Sequence, residues 1–468
     1  MPRLVSTARP SAPPHGPRPR AALAVTAAAT AVALMNYTAP MLTLPDMAAA
    51  FATPVSARAW LLNGTPLGLA VLLLVAGSLA DAHGRRRVFL LGTSALGLTT
   101  ALGGLAGSTL TFTAARIAQG AASAAVIAGS LGLLATAYPA GRDRIRATGI
   151  WGASVSGGIA LGPLLAGALS LVDWRLAYEV LGAAALVIAA VGARTLGPET
   201  PVREGPAASA RPRPDIAGAT ALGLALAALL TALTLGRDGW LRPPVGGLMA
   251  ASVALTAVFV AIEHRSRAPM VDLALLRRPA FLASTLGALF TGMAVIGLFS
   301  VVPALLQGTA GMSPLGAAWL FVLWSGTAFV VALQTRRLAG RLSAPYQLAV
   351  GFALSAGGVL ALLGGLDGPS GSWPRLLPGL VVAGAGSGLL NAALPRLAVD
   401  SVPPERAAMG SGANNTARYI GSSAGVALML ALATAGADTA VLASAALALT
   451  GAGVTLALGR RRPSPATG

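Results

Sequence analysis

In the run Gly77-Ser-Leu-Ala-Asp81-Ala-His-Gly84-Arg85-Arg86-Arg87, an acid stands one helical turn ahead of a basic cluster. A carboxylate at a helix C-terminus faces the negative end of the helix dipole and needs a cation, which Arg85 or Arg86 can supply. Gly77 and Gly84 permit close helix approach and a tight reversal. The chemistry is electrostatic, a charge latch at a helix boundary. A plain basic loop is the competing reading and leaves Asp81 and the two glycines unexplained. Farther on, Arg116, Gln119 and Gly120 fall on one face of an apolar helix. An arginine at membrane depth faces a cavity or a partner, or else snorkels towards a helix end. Ser154, Gly158, Gly162 and Ala166 recur every four residues as a smooth ridge, with Gly167 beyond it, and Pro163 bends that helix. Acids are scarce at depth: Glu179, four residues after Arg175, and Asp46 are the nearest. There is no cysteine, and His15, His83 and His264 lack metal-ligand spacing, so neither a metal nor a cofactor is expected.

The elements that hold these residues follow from composition. The chain has 468 residues, 55% hydrophobic and only 10% charged, where a soluble protein carries about 25% charged residues. That excludes a soluble enzyme, a disordered chain and a secreted disulfide scaffold. Continuous Ala- and Leu-rich runs, each long enough for a hydrocarbon core of ~30 Å, recur near 21–44, 58–79, 86–107, 110–137, 145–171, 174–196, 215–236, 244–262, 280–305, 314–335, 344–365, 374–395, 407–435 and 437–459. Fourteen helical spans are predicted. With the N-terminus inside, 26 of the 33 arginines fall in cytoplasmic segments and 5 outside. That is a positive-inside distribution with both termini cytoplasmic. A cleaved leader over the first Ala-rich run is the competing reading, and its removal would break the alternation. Arg116 and Arg418 alone escape the loop rule. The net charge of +18 is thereby accounted for without nucleic acid. Six of the seven tryptophans, Trp60, Trp151, Trp174, Trp240, Trp319 and Trp373, fit interface belts, and Trp324 lies deeper.

Three of these motifs carry a resemblance. The 77–87 run looks like the signature loop of the major facilitator superfamily, and Arg116-Ile-Ala-Gln119-Gly120 resembles its fourth-helix motif, whose arginine is associated with proton coupling. The glycine run through Gly158, Gly162, Pro163 and Gly167 is similar to the fifth-helix motif that marks exporters. With two extra helices after the Pro-rich 197–214 linker, the whole chain resembles the fourteen-span drug:proton antiporter group. One departure is clear: where that group places an Asp about nine residues before the proline matching Pro40, this chain has Ala31.

The expected architecture is an all-α polytopic membrane protein: a tail (1–20), a six-helix bundle (21–196), the linker, two additional helices (215–262), a loop (263–279), a second six-helix bundle (280–459) and a tail (460–468). The expected function is proton-coupled export of a small amphipathic compound by a multi-pass cell-membrane protein, acting as a monomer. The alternatives are an uptake symporter for a metabolite and, from another class, a membrane sensor or enzyme. Arg116 and Glu179 are the candidates for proton coupling; Asn36, Tyr37, Gln119, Trp324 and Asn391 are the candidate cavity residues. The lack of carboxylates at depth disfavours a polycationic substrate.

Overall fold

The computed structural model of the chain describes residues 19–138, 142–197, 215–235, 239, 241–266, 275, 277–338, 343–367, 370–402 and 407–459. Nearly all of the expected N-terminal tail and linker, the C-terminal tail and most of the 263–279 loop lie outside the described residues.

Every apolar run is helical. α1 (Pro19–Thr38) and α2 (Pro40–Ala50) share the first run, and α3 (Arg58–His83), α4 (Arg85–Gly104), α5 (Thr109–Ala137), α6 (Arg142–Leu169) and α7 (Arg175–Thr195) complete the first half. α8 (Ile216–Leu235) and α9 (Pro243–Arg265) follow. The second half opens with α10 (Pro279–Phe290), a π-helical segment (Thr291–Ile296), α11 (Gly297–Phe299) and α12 (Val302–Gly308). It continues with α13 (Pro314–Leu338), α14 (Ala344–Leu360), α15 (Leu377–Asp400), α16 (Ala407–Ala433) and α17 (Ala437–Gly459). Among the described residues, ten helices are long and apolar enough to cross a membrane, and there is no strand.

Two runs are interrupted, each for a reason written in the chain. Pro40 has no N–H, so the Asn36 carbonyl loses its helical donor and the chain turns at Ala39. In the second half, Gly292 and Gly297 press the π segment against Gly421 and Gly425 of α16, an approach that admits no Cβ. Gly84, at φ 98°, makes the reversal between α3 and α4 that only glycine makes easily.

The halves pack by the same scheme. In the first, α5 lies against α3 and α4, α7 against α4, and α1 against α5, α6 and α7. In the second, α15 lies against α13 and α14, α17 against α14, and α10 against α15, α16 and α17. This is an internal repeat, legible in packing although the sequence hardly shows it. The halves meet along two seams, α3 with α16 and α6 with α13. α8 lies over the first seam and touches both α3 and α16; α9 leans on α8, to which Ser252 donates at the Ala225 carbonyl (2.9 Å). Leu91, Val187, Val253 and Leu449 point outwards and are exposed, an apolar perimeter suited to lipid.

The tryptophans divide differently from the belt expectation. Trp319 and Trp373 are exposed, but Trp174 is buried with Phe51, Phe112 and Tyr178 in a cluster of edge-on rings. Arg175 stacks over Trp174, 4.7 Å from its centroid. Trp151 turns inwards and donates its Nε1 proton to Thr30 (2.9 Å). Trp240 lies outside the described residues.

Candidate functional site

A cavity opens where the halves meet. Tyr37, Thr38 and Met41 border it from the first interrupted run, and Ser156 and Ile159 from α6. Ile296, Phe299 and Ser300 border it from the second interrupted run, with Trp324 and Ser325 from α13, Asn391 from α15, and Arg418 and Tyr419 from α16. Broken helices beside a central cavity place loosened backbone next to the bound molecule. Phe299 and Trp324 lie face to face, 4.2 Å between centroids and 9° from parallel. Among the described residues, no carboxylate lines the wall.

Of the candidate cavity residues, Tyr37, Trp324 and Asn391 stand in this wall, while Asn36 and Gln119 lie behind it. They join a buried network around Arg116, which is fully enclosed. Arg116 Nη1 donates to the Asn36 carbonyl (2.8 Å), to Asn36 Oδ1 (3.1 Å) and to Gln119 Oε1 (2.7 Å), and Nη2 donates to the Tyr37 carbonyl (3.3 Å). Asn36 Nδ2 donates to Gln119 Oε1 (3.0 Å), and Gln119 Nε2 to the Thr99 carbonyl (2.9 Å). The guanidinium thus supplies the hydrogen bond that Pro40 withholds from Asn36. Arg116 holds the helix break from behind, and Tyr37 carries its position into the cavity.

The latch arginines bind helix ends. Arg86 Nε donates to the Leu196 carbonyl (3.0 Å) and Nη2 to that of Ala193 (2.8 Å), satisfying carbonyls at the α7 terminus. Arg85 Nη1 donates to the Gly132 carbonyl in α5 (3.1 Å). Gly77 lies on α3, where a Cβ would meet nothing; the Asp81 side chain lies outside the described residues.

The glycine run does two jobs. A Cβ on Gly158 would lie 2.5 Å from the Ala31 carbonyl oxygen, and one on Gly162 would collide with Thr38, so these glycines seat α6 against α1. Pro163 stands between them and Gly167, whose Cβ would lie 3.0 Å from the Pro314 carbonyl oxygen, at the seam with the other half. Gly158→Val should therefore cost about 1–3 kcal/mol of overpacking, read as a lowered unfolding temperature in detergent; an unchanged temperature would mean that α1 has room to move.

The two acids differ in setting. Glu179 is exposed on α7 beside Gly104, away from the cavity, while Arg175 donates to the Gly104 (2.6 Å) and Ala106 (2.9 Å) carbonyls. Asp46 lies within α2, which packs on α12 and α13 of the other half.

Phe299, Ser325, Arg418 and Tyr419 join the wall beyond the residues expected there. For Arg418 a signal existed, since it shares with Arg116 an apolar position outside every loop. The others belong to ordinary apolar or small-residue runs and carry none.

Comparison with known proteins agrees with this architecture. Residues 26–426 match the family described as Major Facilitator Superfamily. The multidrug resistance protein Stp of Mycobacterium tuberculosis is 32% identical over 393 residues, covering 82% of this chain and 70% of that protein. The puromycin resistance protein pur8 of Streptomyces alboniger is 33% identical over 441 residues, covering 92% and 86%. A crystal structure of a bacterial homolog to the human lysosomal transporter Spinster, inward-facing and occupied, has the same fold, with a TM-score of 0.67 at 16% identity, covering 97% of this chain and all of that one.

Proposed function

Because the chain belongs to the Major Facilitator Superfamily, we propose that it is a multi-pass cell-membrane transporter that exports a small amphipathic organic compound by alternating access. The observation that carries this reading is the cavity shared between two repeated halves and flanked by both interrupted helices. Export rather than uptake is favoured by the resistance proteins among its relatives and by the Gly158-Gly162-Pro163 run at the α1 face.

In this reading all fourteen helical runs cross the membrane, including α3, α4, α8 and α14. Both termini are cytoplasmic, on the side that the arginine count favours. The domains keep the order expected from the sequence: two six-helix bundles at 21–196 and 280–459, joined through the 197–214 linker and the helices of 215–262. Gly77, Asp81, Gly84, Arg85 and Arg86 act as the latch of the first half. A monomer suffices, with substrate and protons as partners in the bilayer.

Protons entering the cell drive the cycle. Arg116 couples by fixing the α1 break; it cannot itself exchange the proton, because an arginine keeps its charge. Of the acids, we assign the proton to Asp46 rather than Glu179, since Asp46 is half-buried on the helix that meets the other half.

Everted vesicles from a strain without its own efflux pumps provide the test, with anionic, neutral and cationic aromatic dyes. An acid-inside gradient should load at least one dye, and a protonophore should stop the loading. Asp46→Asn should remove the response to the gradient while dye-for-dye exchange continues. Loading by none of the dyes, or only in right-side-out vesicles, would overturn export; gradient-driven loading by Asp46→Asn would remove Asp46 from the coupling.

A further inference from the structure

Arg418 and Arg116 are the two arginines outside the loops, and they differ in what meets their terminal nitrogens. Arg116 places both terminal nitrogens on acceptors of three neighbouring residues, and only its Nε is buried without one. Arg418 lines the cavity, and among the described residues its one hydrogen bond runs from Nη1 to Asn391 Oδ1 at 3.3 Å. Its Nε is buried without an acceptor. A cation at membrane depth is costly unless an anion or a set of acceptors meets it, and among the described residues no carboxylate lines this cavity.

The other unmet polar groups of the wall are also donors. Trp324 Nε1 is buried without a partner, and an indole can only donate. Ser325 has a buried hydroxyl without a partner. Asn391 spends its carbonyl on Arg418 and retains its amide protons. Beside these donors lies the stacked Phe299–Trp324 pair, a flat apolar face. Wall chemistry of this kind calls for a planar ring system bearing an acceptor-rich negative group.

We propose that this cavity selects aromatic anions, with a carboxylate or phenolate of the substrate on Arg418 and its ring system against Phe299 and Trp324. The proposal deepens the export reading, on which it rests for the cavity's role as the transport site. Naphthoate, naphthamide and naphthylmethylammonium share one ring system and differ only in charge. Calorimetric titration of the purified full-length chain in detergent should show naphthoate binding about tenfold or more tighter than naphthamide, with the ammonium weakest.

Arg418→Gln should bring the naphthoate-to-naphthamide ratio close to one, with an unchanged thermal unfolding temperature in detergent showing that the variant is folded. Trp324→Leu should weaken all three probes alike. A wild-type chain that binds the ammonium as well as naphthoate, or a ratio that survives Arg418→Gln, overturns the proposal. Should Arg418→Gln fail to fold, the wild-type order of the three probes decides alone. The two readings fail separately. If no dye moves in vesicles yet the naphthoate preference holds, the export reading falls and the anion site stands. If dyes move regardless of charge, export stands and the selectivity falls.

Discussion

Arg116→Ala should abolish gradient-driven export and lower the stability of the purified chain by about 2–4 kcal/mol, the cost of leaving several buried acceptors of a charged donor unmet. The loss falls at one place. Asn36 and Tyr37 present carbonyls to Arg116 immediately before the turn at Ala39, and Asn36 and Gln119 add their side-chain oxygens. Arg116→Lys keeps the charge but replaces a planar fork by a single ammonium, so it should recover only part of both quantities. The decisive variant lies elsewhere. If Arg116 is needed because Pro40 withholds a backbone donor, Pro40→Ala should return an N–H to the Asn36 carbonyl and soften the effect of Arg116→Ala. A double-mutant cycle read by thermal unfolding should then give a coupling of about 1 kcal/mol. Additive effects would separate Arg116 from the helix break, and full export by Arg116→Ala would remove it from the mechanism.

That relation also shows which kinds of information the chain displays in one dimension. Hydropathy located the helices because each apolar run must satisfy its own backbone in lipid. It could not place interruptions that depend on neighbours. The run at 280–305 reads as one helix, yet the π segment sits where Gly292 and Gly297 meet Gly421 and Gly425, more than a hundred residues away. The first run was expected to end near 44 and continues to Ala50, because Pro45 lies in a helix that restarts at Pro40. Asp46 therefore moves from a loop position onto a helix against the other half.

The site was legible where a residue type is costly in an apolar run. Arg116 declared itself that way, and Arg418 carried the same mark. Asn36 and Gln119 also look exceptional at depth, but polarity alone does not tell a cavity wall from the partners of a buried cation. Both proved to be partners of Arg116. Trp174 shows the converse: aromatic position near a span end suggested a lipid interface, whereas Phe51, Phe112 and Tyr178 enclose it.

A covalent bridge between positions 42 and 307 should stop transport completely and reversibly. Hydrogen bonds join the halves at Tyr37 with Ser422 (3.1 Å), from Asn63 Nδ2 to the Ser423 carbonyl (3.0 Å), and from Gln307 Nε2 to the Leu42 carbonyl (3.1 Å). The last belongs to the end remote from Pro19 and Gly459, where Gly167 also meets Pro314. The cavity runs from Met41 towards Ala332 and Asn391. If the halves rock about the cavity, this end must open once in every cycle, and a bridge across it holds one state. The chain has no cysteine, so Leu42→Cys with Gln307→Cys can be linked by a short bifunctional reagent in a clean background. Vesicle loading should fall to background and return when a cleavable linker is reduced. Thr53→Cys with Thr109→Cys supplies the control, because those hydroxyls lie 2.7 Å apart within the first half and should move as one body. Turnover that persists through the 42–307 bridge would show that this contact need not open. Turnover stopped equally by the 53–109 bridge would show that the first half does not move as a rigid unit. Either result would refute rocking of two intact halves, and silence from the first bridge alone, with transport unimpaired in the second, would establish it.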